Sequence, residues 1–201
     1  MRILVILLIA VTAASSACSS APELTYDEEI AAWQADRDTF MREADESPVP
    51  KDKRATFPRL SYFATNPDYR IPAALSVKPS DDFIEMPTST GQRRRMQRVG
   101  SLEFTLKGEP FKLTAFVEPA DRDLRRLFVP FGDRTNGTET YPAGRYLDLD
   151  RTGSGVYELD FNRAYHPYCL YNPTYDCPIP PRENRLATPI RAGEKLGAAG
   201  H

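Results

Sequence analysis

Two neighbouring segments in which apolar and polar residues alternate strictly place the tightest constraint on the fold. Residues 101–106 and 111–116 each direct every second side chain to one face, which is the period of a β-strand. The four residues between them, 107–110, include a glycine, so we predict an antiparallel hairpin. Its apolar face is expected to consist of Leu102, Phe104, Leu106, Phe111 and Leu113.

Short apolar runs elsewhere predict further strands, whereas a single segment has helical periodicity. That segment is residues 25–42, with Thr25 as a predicted N-cap and Glu28 at the position that completes a capping box. No long helical segments alternate with the strands, which argues against a parallel α/β sheet. The further strands are predicted at residues 71–77, 83–86, 124–131, 145–149, 156–161 and 186–191.

These elements predict a mainly β domain with minor α. We expect an antiparallel β-sandwich or open barrel with one N-terminal amphipathic helix, which packs through Ile30, Trp33 and Phe40. The 18 prolines favour turns and short edge strands over a helical bundle. Residues 25–195 are long enough for one core and are predicted to form a single domain, followed by a disordered tail at 196–201.

The first 17 residues have the pattern of a signal peptide. Arg2 precedes nine apolar residues, which would extend about 14 Å as a helix, roughly half of a bilayer core. The sequence Ser15-Ser16-Ala17-Cys18 is similar to the lipobox of bacterial lipoproteins, so we predict that Cys18 carries acyl chains such as palmitate. Ordinary secretion with cleavage near Ala17 is the alternative.

Lipidation of Cys18 would place the domain in the cell envelope, anchored to a membrane on its extracytoplasmic side. Residues 18–24 would then form a short lipidated tether. Removal of residues 1–17 leaves 25 basic and 28 acidic residues, a net charge of −3, so no basic field for nucleic acid is expected. The cluster at residues 93–95 with Arg98 is interpreted as a solvated loop or helix face, with anionic lipid heads as the alternative partner.

Polar and aromatic residues concentrate between residues 133 and 185, in a pattern typical of loops that converge on a site. The Arg145 guanidinium is suited to grip a carboxylate or phosphate with two hydrogen bonds. A structural network in which Arg145 pairs with Asp133 or Asp160 is the alternative. The predicted ligand-binding residues are Thr140, Tyr141, Arg145, Tyr146, Asn162, Tyr165, Asn184 and Arg185.

Two carboxylates in the same stretch are candidates for catalysis. Asp160 and Asn162 are two residues apart near the end of a predicted strand, where both side chains share one face. Asp160 or Asp133 could therefore act as a general base on water, which would make the protein a hydrolase. The sequence does not show whether the two carboxylates meet.

Two cysteines remain once Cys18 is assigned to the lipid. Outside the cytoplasm an even pair favours a disulfide, so a Cys169–Cys177 bond is predicted. A metal site that also uses His166 is the alternative, although it lacks a clear fourth ligand, and free buried thiols are the third. Accordingly, no metal and no cofactor are predicted.

Several motifs along the chain carry a family resemblance. The motifs are Ile30-x-x-Trp33-x-x-x-Arg37, Phe57-x-x-Leu60-x-Tyr62-Phe63, Phe131-x-Asp133-x-Thr135-x-Gly137, Thr140-Tyr141-x-x-Gly144-Arg145-Tyr146-Leu147, Asp160-Phe161-Asn162-x-Ala164-Tyr165-x-Pro167 and Cys177-Pro178-x-Pro180-Pro181-x-Glu183-Asn184-Arg185-Leu186. Through these motifs, residues 26–195 resemble the bacterial and archaeal family DUF1684, which implies a shared fold and a shared polar site but no established activity.

Three functional hypotheses follow from these residues. The leading one is a membrane-tethered domain that binds a small polar or anionic ligand, such as a sugar, a carboxylate or a phosphate-bearing envelope component. The second is the hydrolase that uses Asp160 or Asp133. The third is an envelope scaffold in which the aromatic residues between 57 and 69 meet a protein partner, which requires an exposed apolar patch there.

Overall fold

The structure is a computed structural model that describes residues 23–78, 82–120, 124–154 and 156–197. Its one α-helix in that part of the chain, α1, spans Tyr26–Glu43. The Thr25 side chain accepts from the backbone of Glu28, and the Glu28 carboxylate accepts from the Thr25 N–H, so the predicted capping box is confirmed. The predicted signal peptide, Cys18 and most of the tether and tail lie outside the described residues.

The strands form one large sheet and one small pair. The large sheet has the order β7-β6-β5-β4-β2-β8 with β3 paired to β4, and the small one pairs β1 with β9. The strands are β1 (Ser61–Tyr62), β2 (Arg70–Val77), β3 (Phe83–Pro87), β4 (Arg93–Leu106), β5 (Glu109–Val117), β6 (Arg126–Phe131), β7 (Arg145–Asp150), β8 (Tyr157–Asp160) and β9 (Glu194–Lys195).

All of these strand pairs are antiparallel. The terminal strands β7 and β8 approach each other, and a bridge between Arg151 and Tyr157 joins their ends. The sheet is therefore a nearly closed barrel, which confirms the predicted antiparallel β fold with one main helix. Short 3-10 helices fill the connections at Lys51–Thr56, Pro67–Tyr69, Phe161–Arg163, Tyr168–Leu170 and Arg182–Asn184.

The predicted hairpin is β4–β5, and its turn is tighter than expected. Leu106 pairs with Glu109, so only Lys107 and Gly108 remain in the turn. Both have positive φ, 51° and 84°, which is the backbone of a type I′ turn and matches the twist of a hairpin. The alternating apolar residues of these strands face the barrel interior as predicted. The interior core includes Leu102, Phe104, Leu106, Leu113, Leu127, Val129, Leu147 and Leu159.

Two smaller apolar clusters lie outside the barrel interior. Phe116 lies on the outer face of β5, since its neighbours Ala115 and Val117 point inward, and it packs there with Met86 and Met96. The other cluster lies beneath α1, where Met41, Val49 and Leu60 are buried. Phe57 and Tyr62, from the aromatic segment at residues 57–69, pack against this second cluster and so lie against α1.

The predicted strand at residues 186–191 is wrong. This segment has no strand pairing, and the last strand is β9 instead. The physical reason at Ile190 is that its carbonyl oxygen accepts from Arg145 and its N–H donates to Asp133, so neither group pairs with a neighbouring strand. The interpretation of residues 93–95 as a loop or helix face is also wrong, because β4 begins at Arg93.

Candidate functional site

Arg145, the first residue of β7, is completely buried and binds the C-terminal segment of the domain. Its guanidinium donates to the carbonyl oxygens of Ile190 at 2.7 Å, Ala192 at 2.5 Å and Glu194 at 3.1 Å. Nη2 also donates to Asp133 Oδ2 at 2.9 Å. Burial lowers the pKa of Arg145, and the Asp133 carboxylate opposes that shift. Both terminal nitrogens of Arg145 donate to groups inside the protein. This is the arrangement expected if Arg145 belongs to a structural network and does not bind a ligand.

The other oxygen of Asp133 organises the loop that follows β6. Oδ1 accepts from the Thr135 N–H and hydroxyl at 2.8 and 2.6 Å and from the Ile190 N–H at 3.2 Å. The Thr135 hydroxyl lies 2.8 Å from that of Thr140, which also accepts from Asn136. Asp133 therefore fixes the backbone of Thr135 and Ile190, and the Thr140 hydroxyl is bonded to side chains of the same loop.

Asn184 joins β5 and β6 to the C-terminal segment. Its side-chain amide donates to the carbonyl oxygens of Thr114 and Pro130 at 2.8 Å each, and its oxygen accepts from the Thr114 N–H at 2.7 Å. These three bonds satisfy a side chain with no exposed surface. Arg185 beside it is exposed, and its backbone bridges Gly132.

Asp160 and Asn162 connect the end of β8 to α1. The Tyr26 hydroxyl donates to Asp160 Oδ1 at 2.9 Å, and the Asn162 amide donates to Tyr26 Oη and to the Asn66 carbonyl oxygen, each at 2.8 Å. Burial, with the charge of Asp160 next, raises the pKa of Tyr26. Arg163 Nε lies 3.4 Å from the second Asp160 oxygen. The two side chains meet at Tyr26 and hold the helix, although Asn162 lies in the 3-10 helix that follows β8 and not on a strand face.

Glu194 forms the centre of a buried ionisable cluster that the sequence analysis missed. Its carboxylate accepts from Arg37 Nε at 2.8 Å, from the His166 N–H at 2.7 Å and from the Tyr171 hydroxyl at 3.2 Å. Arg37 in turn lies over the rings of Trp33 and Tyr165. The motif from Ile30 to Arg37 marks Arg37 in the sequence. Glu194 has no such mark, because it lies in a segment without periodicity.

Cys169 and Cys177 are free cysteines in the structure, so the predicted disulfide is not formed there. The two residues are nevertheless in contact, because the Cys169 N–H donates to Cys177 Sγ at 3.1 Å. The Tyr141 hydroxyl lies 3.8 Å from Cys169 Sγ. Among the described residues, no group of three or more His, Cys, Asp or Glu side chains is arranged to hold a metal ion.

A cleft lies on the outer face of the barrel, against the chain that follows β8. We name it the tyrosine cleft, after Tyr146, Tyr165, Tyr168 and Tyr175. Its volume is about 370 Å³. The ring of Tyr146 packs edge-on against Tyr165, and Tyr168 packs edge-on against Tyr175. The other lining residues are Met96, Phe128, Cys177 and Pro178, with Arg94, Glu118 and Asp176 as the charged ones.

The tyrosine hydroxyls of this cleft are partly engaged. Tyr146 donates to the Pro178 carbonyl oxygen at 2.5 Å, which closes the floor of the cleft, and Tyr165 donates to Asp148 at 2.8 Å. Burial raises the pKa of both Tyr146 and Tyr165, so both phenols are neutral donors.

A second cleft of about 300 Å³ shares Tyr165 and Tyr168 with the first, and we call it the adjoining cleft. Its surface is more polar than that of the tyrosine cleft. Arg126 donates to Asp148 at 3.2 Å within it, so these two charges are paired. The remaining lining residues are Trp33, Arg37, Phe40, Asp150 and Arg163.

Comparison with known proteins places the chain in a family. The sequence profile of DUF1684, described as a protein of unknown function, matches residues 55–195. The chain belongs to the DUF1684 family. A solution NMR structure of an uncharacterised protein from Haloarcula marismortui is 39% identical, covers 85% of this chain and 94% of that chain, and has a TM-score of 0.66. No curated protein matches the chain.

The DUF1684 domain brings only part of the predicted ligand-binding set to a cleft. Tyr146 and Tyr165 line the tyrosine cleft, whereas Arg145, Asn162 and Asn184 are bonded within the protein. Tyr168 and Tyr175 were missed, because a tyrosine in an irregular segment gives no periodic signal of the side it faces. No helix in the described part of the chain is long and apolar enough to cross a membrane.

The His166 imidazole of this domain predicts an acid-sensitive fold. Burial lowers its pKa to about 4, although Glu194 opposes the shift. The unfolded chain takes up the proton near pH 6.5, so it binds more protons than the native state between pH 6.5 and 4. Unfolding free energy is therefore expected to fall by about 3 kcal/mol as the pH is lowered through that window.

Urea unfolding at stepped pH values, on the parent protein and on His166→Gln, measures this effect. The glutamine oxygen can still accept from the Tyr141 N–H that now donates to His166 Nε2 at 3.3 Å. The variant should lose the decline in stability between pH 6.5 and 4. Equal declines in both proteins would show that other groups cause it.

Proposed function

We propose that this DUF1684 protein is a lipid-anchored domain of the cell envelope that binds a small polar ligand, such as a sugar, in the tyrosine cleft. The observation that carries the proposal is a cleft of about 370 Å³ that has four tyrosines among its lining residues. Ligand sites in proteins are concave, of a few hundred Å³, and mostly aromatic or apolar with few polar groups.

The aromatic lining favours a ligand with flat apolar faces and hydroxyl groups around its edge. Tyrosine offers a rigid apolar ring for contact and a hydroxyl for hydrogen bonding. Sugar rings have the matching shape, because their C–H faces pack on aromatic rings while their hydroxyls reach polar groups. Glu118 and Asp176 at the cleft supply acceptors for such hydroxyls.

The charges at the cleft favour a neutral ligand over an anion. Arg94 lies 3.9 Å from Glu118 and donates to the Asp176 carbonyl oxygen at 2.9 Å, so its charge is partly compensated. Arg145, which we expected to hold negative charge, is bonded to Asp133 inside the barrel. Among the described lining residues, Arg94 stands against two acidic residues, Glu118 and Asp176, so the cleft favours a neutral sugar over an anion.

The adjoining cleft gives the ligand room to extend. It shares Tyr165 and Tyr168 with the tyrosine cleft and adds the ring of Trp33 and the carboxylate of Asp150. A second sugar unit would therefore meet another aromatic and polar surface of the same kind.

Anchoring to the envelope is supported by the sequence of residues 1–18, with its signal peptide pattern and the cysteine that ends it. Acyl chains on Cys18 would hold the domain at a membrane surface, since each buried methylene group contributes roughly 0.8 kcal/mol. A tethered domain would meet envelope saccharides at high local concentration.

The hydrolase and scaffold hypotheses have less support. Asp133 and Asp160 are each bonded within the protein, and neither lines the two clefts. The aromatic residues Phe57 and Tyr62 pack against α1, so they do not provide the exposed patch that a scaffold would use.

Isothermal titration calorimetry with neutral hexoses, N-acetylhexosamines and their disaccharides tests the proposal. Tyr168→Ala should weaken saccharide binding about tenfold, which corresponds to about 1.4 kcal/mol, because it removes a ring shared by both clefts. Arg94→Ala should also weaken it, because it removes a guanidinium donor from the lining of the cleft, whereas Arg93→Ala is the matched control, since Arg93 is the neighbouring exposed arginine. Absence of binding to every saccharide, or unchanged affinity in Tyr168→Ala, would refute the proposal.

A further inference from the structure

Cys169 and Cys177 lie in direct contact with each other, in an arrangement that two unrelated buried thiols would not have. The residues are eight positions apart, the Cys169 N–H donates to Cys177 Sγ at 3.1 Å, and the two thiols are hydrogen-bonded to each other. A disulfide needs sulfur atoms that can meet without backbone rearrangement. The contact between the Cys169 N–H and Cys177 Sγ holds the two residues side by side in the reduced protein.

Both backbones that carry these thiols are held in place. The Cys177 N–H donates to Ser89 Oγ at 3.0 Å, and its carbonyl oxygen accepts from the Ser89 N–H at 2.9 Å. Cys169 lies in the 3-10 helix Tyr168–Leu170. Neither residue is in a loose loop, so the contact between the two cysteines is part of the fold.

The two thiols differ in access and in charge. Cys169 is partly exposed, whereas Cys177 is buried with 7% of its surface accessible. The hydrogen bond from Cys177, together with the Tyr141 hydroxyl, lowers the pKa of Cys169 to about 6, while burial opposes the shift. The same hydrogen bond, with burial, raises the pKa of Cys177. The first proton therefore leaves Cys169, and the accessible sulfur becomes the thiolate that acts as nucleophile.

We propose that Cys169 and Cys177 form a thiol–disulfide exchange site, in which Cys169 is the attacking cysteine and Cys177 the resolving one. The co-reactant is a disulfide, of a small molecule or of an oxidoreductase. This inference does not depend on saccharide binding in the tyrosine cleft.

The exchange proceeds in two substitutions. Cys169 S⁻ attacks one sulfur of the co-reactant, a new S–S bond forms, the old one breaks, and the departing thiolate takes up the Cys177 proton. Cys177 S⁻ then attacks Cys169 Sγ, which releases the second thiolate of the co-reactant, and this thiolate takes a proton from solvent. The protein dithiol loses two electrons, and the co-reactant disulfide is reduced to two thiols.

Mass spectrometry of the full chain after reaction with glutathione disulfide tests this assignment. The reduced protein is freed of reductant, mixed with glutathione disulfide, quenched in acid and digested with trypsin. Both cysteines fall in one peptide, residues 164–182, which separates them from Cys18. The parent peptide should lose two hydrogens, as an internal disulfide requires.

Two serine variants separate the roles of the cysteines. Cys177→Ser should stop at a stable glutathione adduct on Cys169, because no resolving thiol remains. Cys169→Ser should react at least about tenfold more slowly, since the remaining thiol is buried and protonated. Circular dichroism verifies that both variants are folded. The assignment is overturned if the parent peptide keeps glutathione or does not react, or if Cys169→Ser reacts as fast as the parent.

Discussion

Replacing Arg145 with methionine should destabilise the domain by about 3–5 kcal/mol, which is the usual cost of removing one partner of a buried ion pair. Methionine has a comparable length but leaves Asp133 as an unpaired buried carboxylate. It also removes the donors for the carbonyl oxygens of Ile190 and Ala192. Because these residues precede β9, we expect the C-terminal segment to detach first. Urea unfolding followed by far-UV circular dichroism measures the loss.

Arg191→Ala is the matched control for this substitution. Arg191 is an exposed arginine in the same segment, and it pairs with Glu139 at the surface. Surface ion pairs contribute little to stability, so this variant should unfold close to the parent. If both variants lose the same small amount of stability, Arg145 does not hold the C-terminal segment. In that case its side chain would again be a candidate for binding a ligand.

Gly193→Ala should lower the free energy of unfolding by about 2–4 kcal/mol, because it introduces both backbone strain and overpacking. Gly193 has φ +76°, where a side chain is strained. An added Cβ would lie 2.5 Å from the Ala164 carbonyl oxygen and 2.6 Å from that of Phe161. Both are backbone atoms, so relief requires a shift of the chain next to Glu194. Thermal unfolding of the variant and the parent measures the change.

Gly91→Ala is the control that introduces backbone strain without a steric clash of the added Cβ. Gly91 has a similar φ of +82° but open space around the position of an added Cβ. Its replacement should therefore lower the free energy of unfolding by only about 1 kcal/mol, which is the effect of backbone strain alone. Equal losses in Gly91→Ala and Gly193→Ala would mean that the close packing of residues 190–194 contributes nothing, contrary to the structure.

Most of the fold was predictable because it depends on local alternation. The hairpin at residues 101–116, the capping box of Thr25 and Glu28 and the run of short strands each have a direct sequence signal. The segment at residues 186–191 lacked one. It resembles a strand in composition, but the carbonyl oxygen of Ile190 accepts from a buried arginine that is distant in sequence. Long-range hydrogen bonds of this kind leave no periodicity.

The candidate site was predictable only in part, for a similar reason. Composition marked residues 133–185 as special, and the structure shows that Arg145 and Asn184 serve to join segments. Polar residues that close loops and polar residues that face a ligand have the same composition. Burial of the side chain is what distinguishes a structural residue such as Arg145 from a cleft residue such as Tyr168. That burial depends on how the segment after β8 lies on the barrel.

A crystal structure of the protein soaked in a hydrolysate of cell-envelope saccharides shows where a saccharide binds. If the tyrosine cleft is the ligand site, sugar density will lie against the ring of Tyr168, within reach of Asp176, and the Arg145 network will be unchanged. Density at Arg145 or elsewhere on the surface, or an unoccupied tyrosine cleft at saturating saccharide, would overturn this assignment.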